Sequence, residues 1–161
     1  MTKRCAALLA LALSACVASR EPAPEPAFYV MRHLHKEAGA DPALSPQGWR
    51  CARRLAEELA DAGIRAVYAT VTQRALETGL YVAERADTVP LPYDARDIAG
   101  LVTRVRATAG SILIVGHSNT VPDIVEALGG TRPGDLGDDS YGEVWRVARP
   151  SGATTVRRID C

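Results

Sequence analysis

The sequence predicts an α/β domain, a three-layer sandwich with a mostly parallel sheet flanked by helices. Three observations carry that prediction. Short apolar runs alternate with segments of helical periodicity in the order β-α-β-α-β-α-β-α-β-β. Ile112 to Val115 is a continuous apolar run ending in Gly116, the pattern of a central parallel strand covered on both faces. Of the 161 residues, 47% are hydrophobic but 5% are aromatic, so the core is substantial and aliphatic.

Taken in order, Ala27 to Met31 is a short apolar run that predicts a buried strand. A polar loop with Gly39, Asp41 and Pro42 follows. Ser45-Pro46 then reads as a helix N-cap and first-turn proline. Ala52, Leu55, Ala56 and Leu59 fall on one helical face, with Arg53, Arg54, Glu57, Glu58 and Asp61 on the other, and Gly63 is the expected stop. Ala66 to Ala69 predicts a second strand, and Thr72 to Glu84 a second helix burying Leu76, Leu80 and Ala83. Val89 to Tyr93 is a proline-interrupted strand suited to an edge. Ile98, Leu101, Val102 and Val105 mark a third helix. Thr120 to Leu128 is a fourth, stopped by Gly129-Gly130. Glu143 to Ala148 and Thr154 to Arg158 form two final strands around a Pro150-Ser151-Gly152 turn.

The N-terminus has a different character. Lys3 and Arg4 precede an uncharged apolar stretch, Ala6 to Ala15, too short for a permanent membrane span. Leu13-Ser14-Ala15-Cys16 resembles a bacterial lipobox, which implies a signal peptide over 1–15 and acylation of Cys16. Val17 in place of an acidic residue after the cysteine points to outer-membrane sorting. The expected location is the periplasmic face of the outer membrane, anchored by lipid. Residues 16–26 comprise that cysteine and a proline-rich tether, and 27–161 the domain. Cys5 goes with the signal, leaving Cys51 and Cys161 in an oxidising compartment; a disulfide between them would tie the C-terminus to the first helix. Without residues 1–15 the chain has 17 basic against 19 acidic residues, a net of −2, with no basic surplus for nucleic acid.

In open α/β sheets ligands bind beyond the C-terminal ends of the strands. The first strand ends in Arg32-His33, the second runs into Thr70 with Arg74 starting the next helix, and the central strand ends in Gly116-His117. Two imidazoles and two guanidiniums thus converge on one edge. Paired guanidiniums suit a phosphate dianion, because each donates a fork of hydrogen bonds. The helix after His117 would add amides near Ser118 and Asn119.

At these residues the chain resembles the histidine phosphatase superfamily, the phosphoglycerate-mutase-like fold. Four blocks carry the resemblance: Val30-Met31-Arg32-His33; Leu44-Ser45-Pro46-Gln47-Gly48; Tyr68-Ala69-Thr70 with Arg74 and Thr78; and Val115-Gly116-His117-Ser118-Asn119. They occur in the family's order within residues 27–148. The resemblance implies that His33 attacks phosphorus and carries a phosphohistidine. Arg32 and Arg74 would clamp the phosphoryl oxygens, His117 would stabilise their charge, and no metal or other cofactor would be needed. It implies as substrate a phosphorylated small molecule or a phosphoprotein. Leu34 replaces the family's usual glycine, which is expected to narrow the space beside the nucleophile. Lys36 could draw in anions. For the general acid the choice is Asp94, then Asp97, or no acid at all. Asp94 could equally cap the segment starting at Ala95, Ser118 and Asn119 could equally cap the fourth helix, and His35 suits the rim.

Other functions fit parts of the pattern. Gly116-His117-Ser118-Asn119-Thr120 is similar to a serine-hydrolase elbow, but Thr120 stands where that turn needs glycine and no histidine follows Ser118. His33-x-His35 on an extended segment, with His117 and an aspartate, could hold zinc. A non-catalytic lipoprotein binding phosphorylated ligands would use the same pocket. A mutase is disfavoured: 42 residues lie between Arg74 and His117, leaving little room for an insert that would shield the site from water.

Overall fold

The computed structural model describes residues 25–160. Its elements follow the predicted order: β1 (Ala27–Arg32), α1 (Pro46–Glu58), β2 (Ile64–Thr70), α2 (Gln73–Arg85), β3 (Leu91–Tyr93), α3 (Ile98–Ala107), β4 (Ser111–Gly116), α4 (Val121–Ala127), β5 (Glu143–Ala148) and β6 (Thr154–Arg158). The six strands form one sheet in the order β3-β2-β4-β1-β5-β6. β1, β2, β3 and β4 pair in parallel, while β5 and β6 are antiparallel.

Side chains alternate across a strand, so each buried strand feeds two cores. Met31, Val67, Leu113 and Val115 meet Leu55 of α1 and Val82 of α2 on one face. Val30, Tyr68, Ile112 and Ile114 meet Leu101 and Val105 of α3 and Ile124 of α4 on the other. These are the three layers. β3 lies at an edge, where Pro92 costs no ladder bond on its open side.

Ser45 caps α1, its hydroxyl accepting from the Gly48 amide at 3.2 Å. The helix ends earlier than Gly63 suggests: its C-cap is Leu59, and turns carry the chain to Gly63, whose φ of +66° starts β2. The buried face of α2 also differs. Leu76 and Leu80 are half-buried, whereas Ala75, Thr78, Gly79, Val82 and Ala83 are buried. Small residues let the helix lie close on the sheet: a Cβ at Gly79 would sit 2.6 Å from Val67 Cγ1. Val67 is fully buried and β-branched, so it cannot swing aside. Gly79→Ala is therefore expected to destabilise the domain by about 1–3 kcal/mol, despite the better helix propensity of alanine. Urea unfolding should show a lower midpoint at unchanged slope.

Cys51 is fully buried and disulfide-bonded. Cys161, the partner expected from the sequence, lies outside the described residues, as do the signal, Cys16 and most of the tether. Ile159 packs in the same apolar cluster as Cys51.

Candidate active site

Arg32 pairs with Gly116 at the shared end of β1 and β4, so the next residues, His33 and His117, leave the sheet as neighbours. Their ring centroids lie 5.4 Å apart. The His33 amide donates to the Gly116 carbonyl at 2.9 Å, which extends the strand pairing by one residue.

His33 is 3% exposed. Its Nδ1 lies 2.9 Å from the Leu34 carbonyl oxygen. A carbonyl only accepts, so Nδ1 carries the proton and Nε2 keeps its lone pair. Burial pushes the His33 pKa down to about 4; the Leu34 carbonyl opposes this, and Arg74, Arg32 and His117 push it lower. The ring is thus neutral at ordinary pH, with one nitrogen free to attack.

His117 Nε2 lies 2.9 Å from Thr70 Oγ1. Burial, then Arg74 and Arg32, hold its pKa below the usual imidazole value, with Asp41 opposing. Its amide donates to Thr120 Oγ1 at 2.9 Å. Thr120, at the N-cap position of α4, therefore secures the turn that carries His117.

Thr78 joins the two halves of the site. The Leu34 amide donates to its hydroxyl at 3.0 Å, and the hydroxyl donates to the Arg74 carbonyl at 2.7 Å. The first turn of α2 is thereby held against the segment after His33. Leu34 itself does not narrow the site. Its side chain is fully buried in the core with Leu44 and Leu55; burying a leucine yields roughly 2 kcal/mol, and that gain sets its direction.

Both arginines are held at their tips. Arg74 Nη1 lies 3.3 Å from Asp41 Oδ1, and the same carboxylate accepts from the Gln73 amide. Arg32 Nη1 donates to the carbonyls of Gly137 and Asp138 at 2.8 and 2.9 Å, and its Cζ sits 4.3 Å from the Tyr141 ring centroid. Arg32 Nε and Arg74 Nε are buried and, among the described residues, have no acceptor. Two guanidinium donors left without partners beside a neutral imidazole are the complement of an anion that brings its own oxygens.

The remaining candidates are spread around this centre. A cavity of about 620 Å³ adjoins His117 and is lined by Thr70, Val71, Tyr93 and Asp94 among others. Asp94 is half-exposed there and paired with Arg96, whose side chain holds the carboxyl below the usual carboxylate range. Asp97 caps α3, accepting from the Gly100 amide at 2.8 Å. Ser118 is half-buried and Asn119 exposed. Among the described residues no histidine hydrogen-bonds Ser118, as a serine nucleophile would require. Lys36 is exposed, with its ammonium 3.4 Å from the Glu37 carbonyl. His35 turns away from His33: its Nδ1 lies 3.9 Å from Cys51 Sγ and its ring 4.3 Å from that of Tyr141. Among the described residues no three His, Cys, Asp or Glu side chains gather as metal ligands would.

Sequence reasoning missed Asp41 and Tyr141, and with them the carbonyls of Gly137 and Asp138. Asp41 precedes a proline in a polar loop, and Tyr141 sits in a Gly- and Asp-rich stretch. Neither setting distinguishes a working side chain from a solvated one, and a carbonyl that holds an arginine leaves no trace in side-chain identity.

The fold and this site define a class: an α/β domain with two histidines and an arginine at the ends of parallel strands and a second arginine in the first turn of the helix that follows β2. The family model of the histidine phosphatase superfamily (branch 1) matches residues 29–98, a stretch that includes Arg32, His33, Arg74 and Asp94. No curated protein sequence matches the chain. The protein histidine phosphatase SixA complexed with tungstate superimposes with a TM-score of 0.61 at 22% identity, over 81% of this chain and 94% of that one. A mycobacterial glucosyl-3-phosphoglycerate phosphatase complexed with VO3 gives 0.65 at 12% identity, over 83% and 98%. Phosphoserine phosphatase from Entamoeba histolytica, in complex with 3-phosphoglyceric acid, gives 0.57 at 13%, over 84% and 97%. The chain has the α/β fold of these phosphatases.

Proposed function

We propose that this protein is a histidine phosphatase, a metal-independent phosphohydrolase acting through a phosphohistidine on His33. The observation that carries the proposal is the pair of buried, unpartnered Nε donors of Arg32 and Arg74 beside the bare Nε2 of His33. Each guanidinium takes phosphoryl oxygens, and His117 supports the charge that develops on them. His33 Nε2 forms a bond to phosphorus as the bond from phosphorus to the leaving atom, an ester oxygen or the ring nitrogen of a phosphohistidine, breaks. Water then attacks phosphorus, the P–N bond breaks, and inorganic phosphate leaves with His33 neutral again.

Asp94 bears on the substrate. An acid must be protonated to donate, and Arg96 favours the ionised form of this carboxyl. Leaving groups that depart without a proton, such as phenolates or the imidazole of a phosphorylated histidine, suit the site better than alkoxides. The substrate class is a phosphorylated protein side chain or a small phosphomonoester, received in the cavity beside His117. Solved structures of the same fold, one complexed with tungstate and another with VO3, support a phosphate-like oxyanion as the ligand.

The proposal extends to location: residues 1–15 as a lipoprotein signal, Cys16 as the lipidated residue, and the periplasmic face of the outer membrane as the address. Among the described residues no helix is long and apolar enough to cross a membrane.

The test is to trap the intermediate. The protein is mixed with an aryl phosphate in the presence of a chelator and quenched in alkali, which preserves phosphohistidine. A phosphoryl adduct on the peptide bearing His33 is the expected result. Phenol release with no adduct there would overturn the mechanism. Release that chelator abolishes would move the chemistry to a metal.

A further inference from the structure

The segment between α4 and β5 runs from Leu128 to Gly142, long for a connection in a domain of this kind. It is anchored rather than loose. Leu136 packs against the core on the α3–α4 face, and Gly142, at φ +83°, passes so close to the Ile159 carbonyl that a Cβ there would lie 3.0 Å from its oxygen. Between those anchors the chain wraps the tip of Arg32. The Gly137 and Asp138 carbonyls take Nη1, the Ser140 carbonyl lies at 3.5 Å from the same nitrogen, and the Tyr141 ring covers the guanidinium at 4.3 Å.

A guanidinium has five donors in one plane. Carbonyls at one edge fix its rotation within that plane, and an aromatic ring fixes the plane itself. The donors left over are Nε, which is buried and without an acceptor among the described residues, and Nη2, which makes only a long 3.5 Å approach to the Tyr141 hydroxyl. The Tyr141 ring also lies 4.3 Å from the His35 ring and 6.0 Å from that of His33. The ring is therefore wedged among the nucleophile, the clamp and the rim.

We propose that residues 137–141 form a positioning element in which the Tyr141 ring holds the Arg32 guanidinium plane so that Nε and Nη2 face the bound oxyanion. This rests on the phosphate site proposed above. The aromatic face does the work, and the hydroxyl is secondary.

The test uses the intact protein and tungstate as a probe, with binding followed by calorimetry. Tyr141→Leu keeps bulk but removes the π face, and Tyr141→Phe removes the hydroxyl alone. Loss of the ring is expected to weaken tungstate binding about tenfold and to raise KM by a similar factor, with the melting curve still cooperative. Tyr141→Phe is expected to remain within about twofold of the parent. In an Arg32→Lys background, Tyr141→Leu should add less than about twofold, because the coupling runs through the guanidinium. Unchanged tungstate affinity in Tyr141→Leu overturns the proposal. So does an undiminished loss in the Arg32→Lys background, which would put the action of Tyr141 elsewhere. Because tungstate binding needs no turnover, a protein that binds it but hydrolyses no phosphoester would remove the phosphatase function and leave this proposal to be decided by the same cycle.

Discussion

His33→Ala is expected to lower phosphatase turnover by about ten-thousandfold or more, the scale seen when a covalent nucleophile is removed. The substitution deletes the atom proposed to bond to phosphorus, and no neighbour among the described residues is placed to replace it. His117 is the other imidazole of the site, but its Nε2 is engaged with Thr70. Tungstate binding should survive the change, since Arg32 and Arg74 keep their tip contacts to the 137–138 carbonyls and to Asp41. Release of phenol from an aryl phosphate in chelator, run beside tungstate calorimetry, separates the two effects. Equal turnover in parent and variant would place the nucleophile elsewhere. Loss of both binding and turnover would mean that the variant lost its fold, which circular dichroism would report.

The acid limb of kcat/KM is expected to lie near pH 4, far below that of an ordinary imidazole, once the ester's own ionisation has been taken into account. In the proposed mechanism attack requires neutral His33, and burial together with two guanidiniums pushes its pKa down to about 4. At pH 5 an unperturbed imidazole would be mostly protonated, so the buried site should run about thirtyfold faster there than an exposed histidine could. The same shift has a consequence for stability. The folded pKa is depressed, so on acidification the unfolded chain takes up the proton first. The stability contributed by neutral His33 is complete above about pH 6.5 and is lost as pH falls toward about 4. His117 and His35 are shifted in the same direction and deepen that loss. An acid limb at the ordinary imidazole value would show that His33 is solvated in the working enzyme.

Much of this protein is decided locally and is legible in the chain. The Ile112 to Val115 run is apolar on both faces, and it became the buried strand β4. Ser45-Pro46 is a helix start wherever it occurs before an amphipathic segment, and α1 begins there. Strand ends are where an α/β sheet exposes side chains to ligands, so Arg32, His33 and His117 could be placed from topology alone.

Other features depend on which surfaces meet. The α2 face follows from close approach: Leu76 and Leu80 have the stronger hydrophobic signal, yet the small residues Ala75 and Gly79 face the sheet because larger side chains would not fit over Val67. Leu34 departs from its expected place because the core beneath the site accepts it. Asp94 and Asp97 are both acidic and close in sequence, but one is held by Arg96 and the other caps α3.

By itself the sequence decided the element order, the mostly parallel sheet and the strand-end pairing of two histidines with two arginines, because each rests on local periodicity or on the position of a residue next to an element's end. The tertiary structure alone decided how those groups are prepared. The lone pair on His33 depends on the carbonyl of Leu34 and on burial, Arg74 is held by Asp41 from a separate loop, and Arg32 is held by residues 137–141, more than a hundred positions away. Hydrogen-bond partners and local dielectric are properties of neighbours in space, and such neighbours are not recorded in the order of residues along the chain.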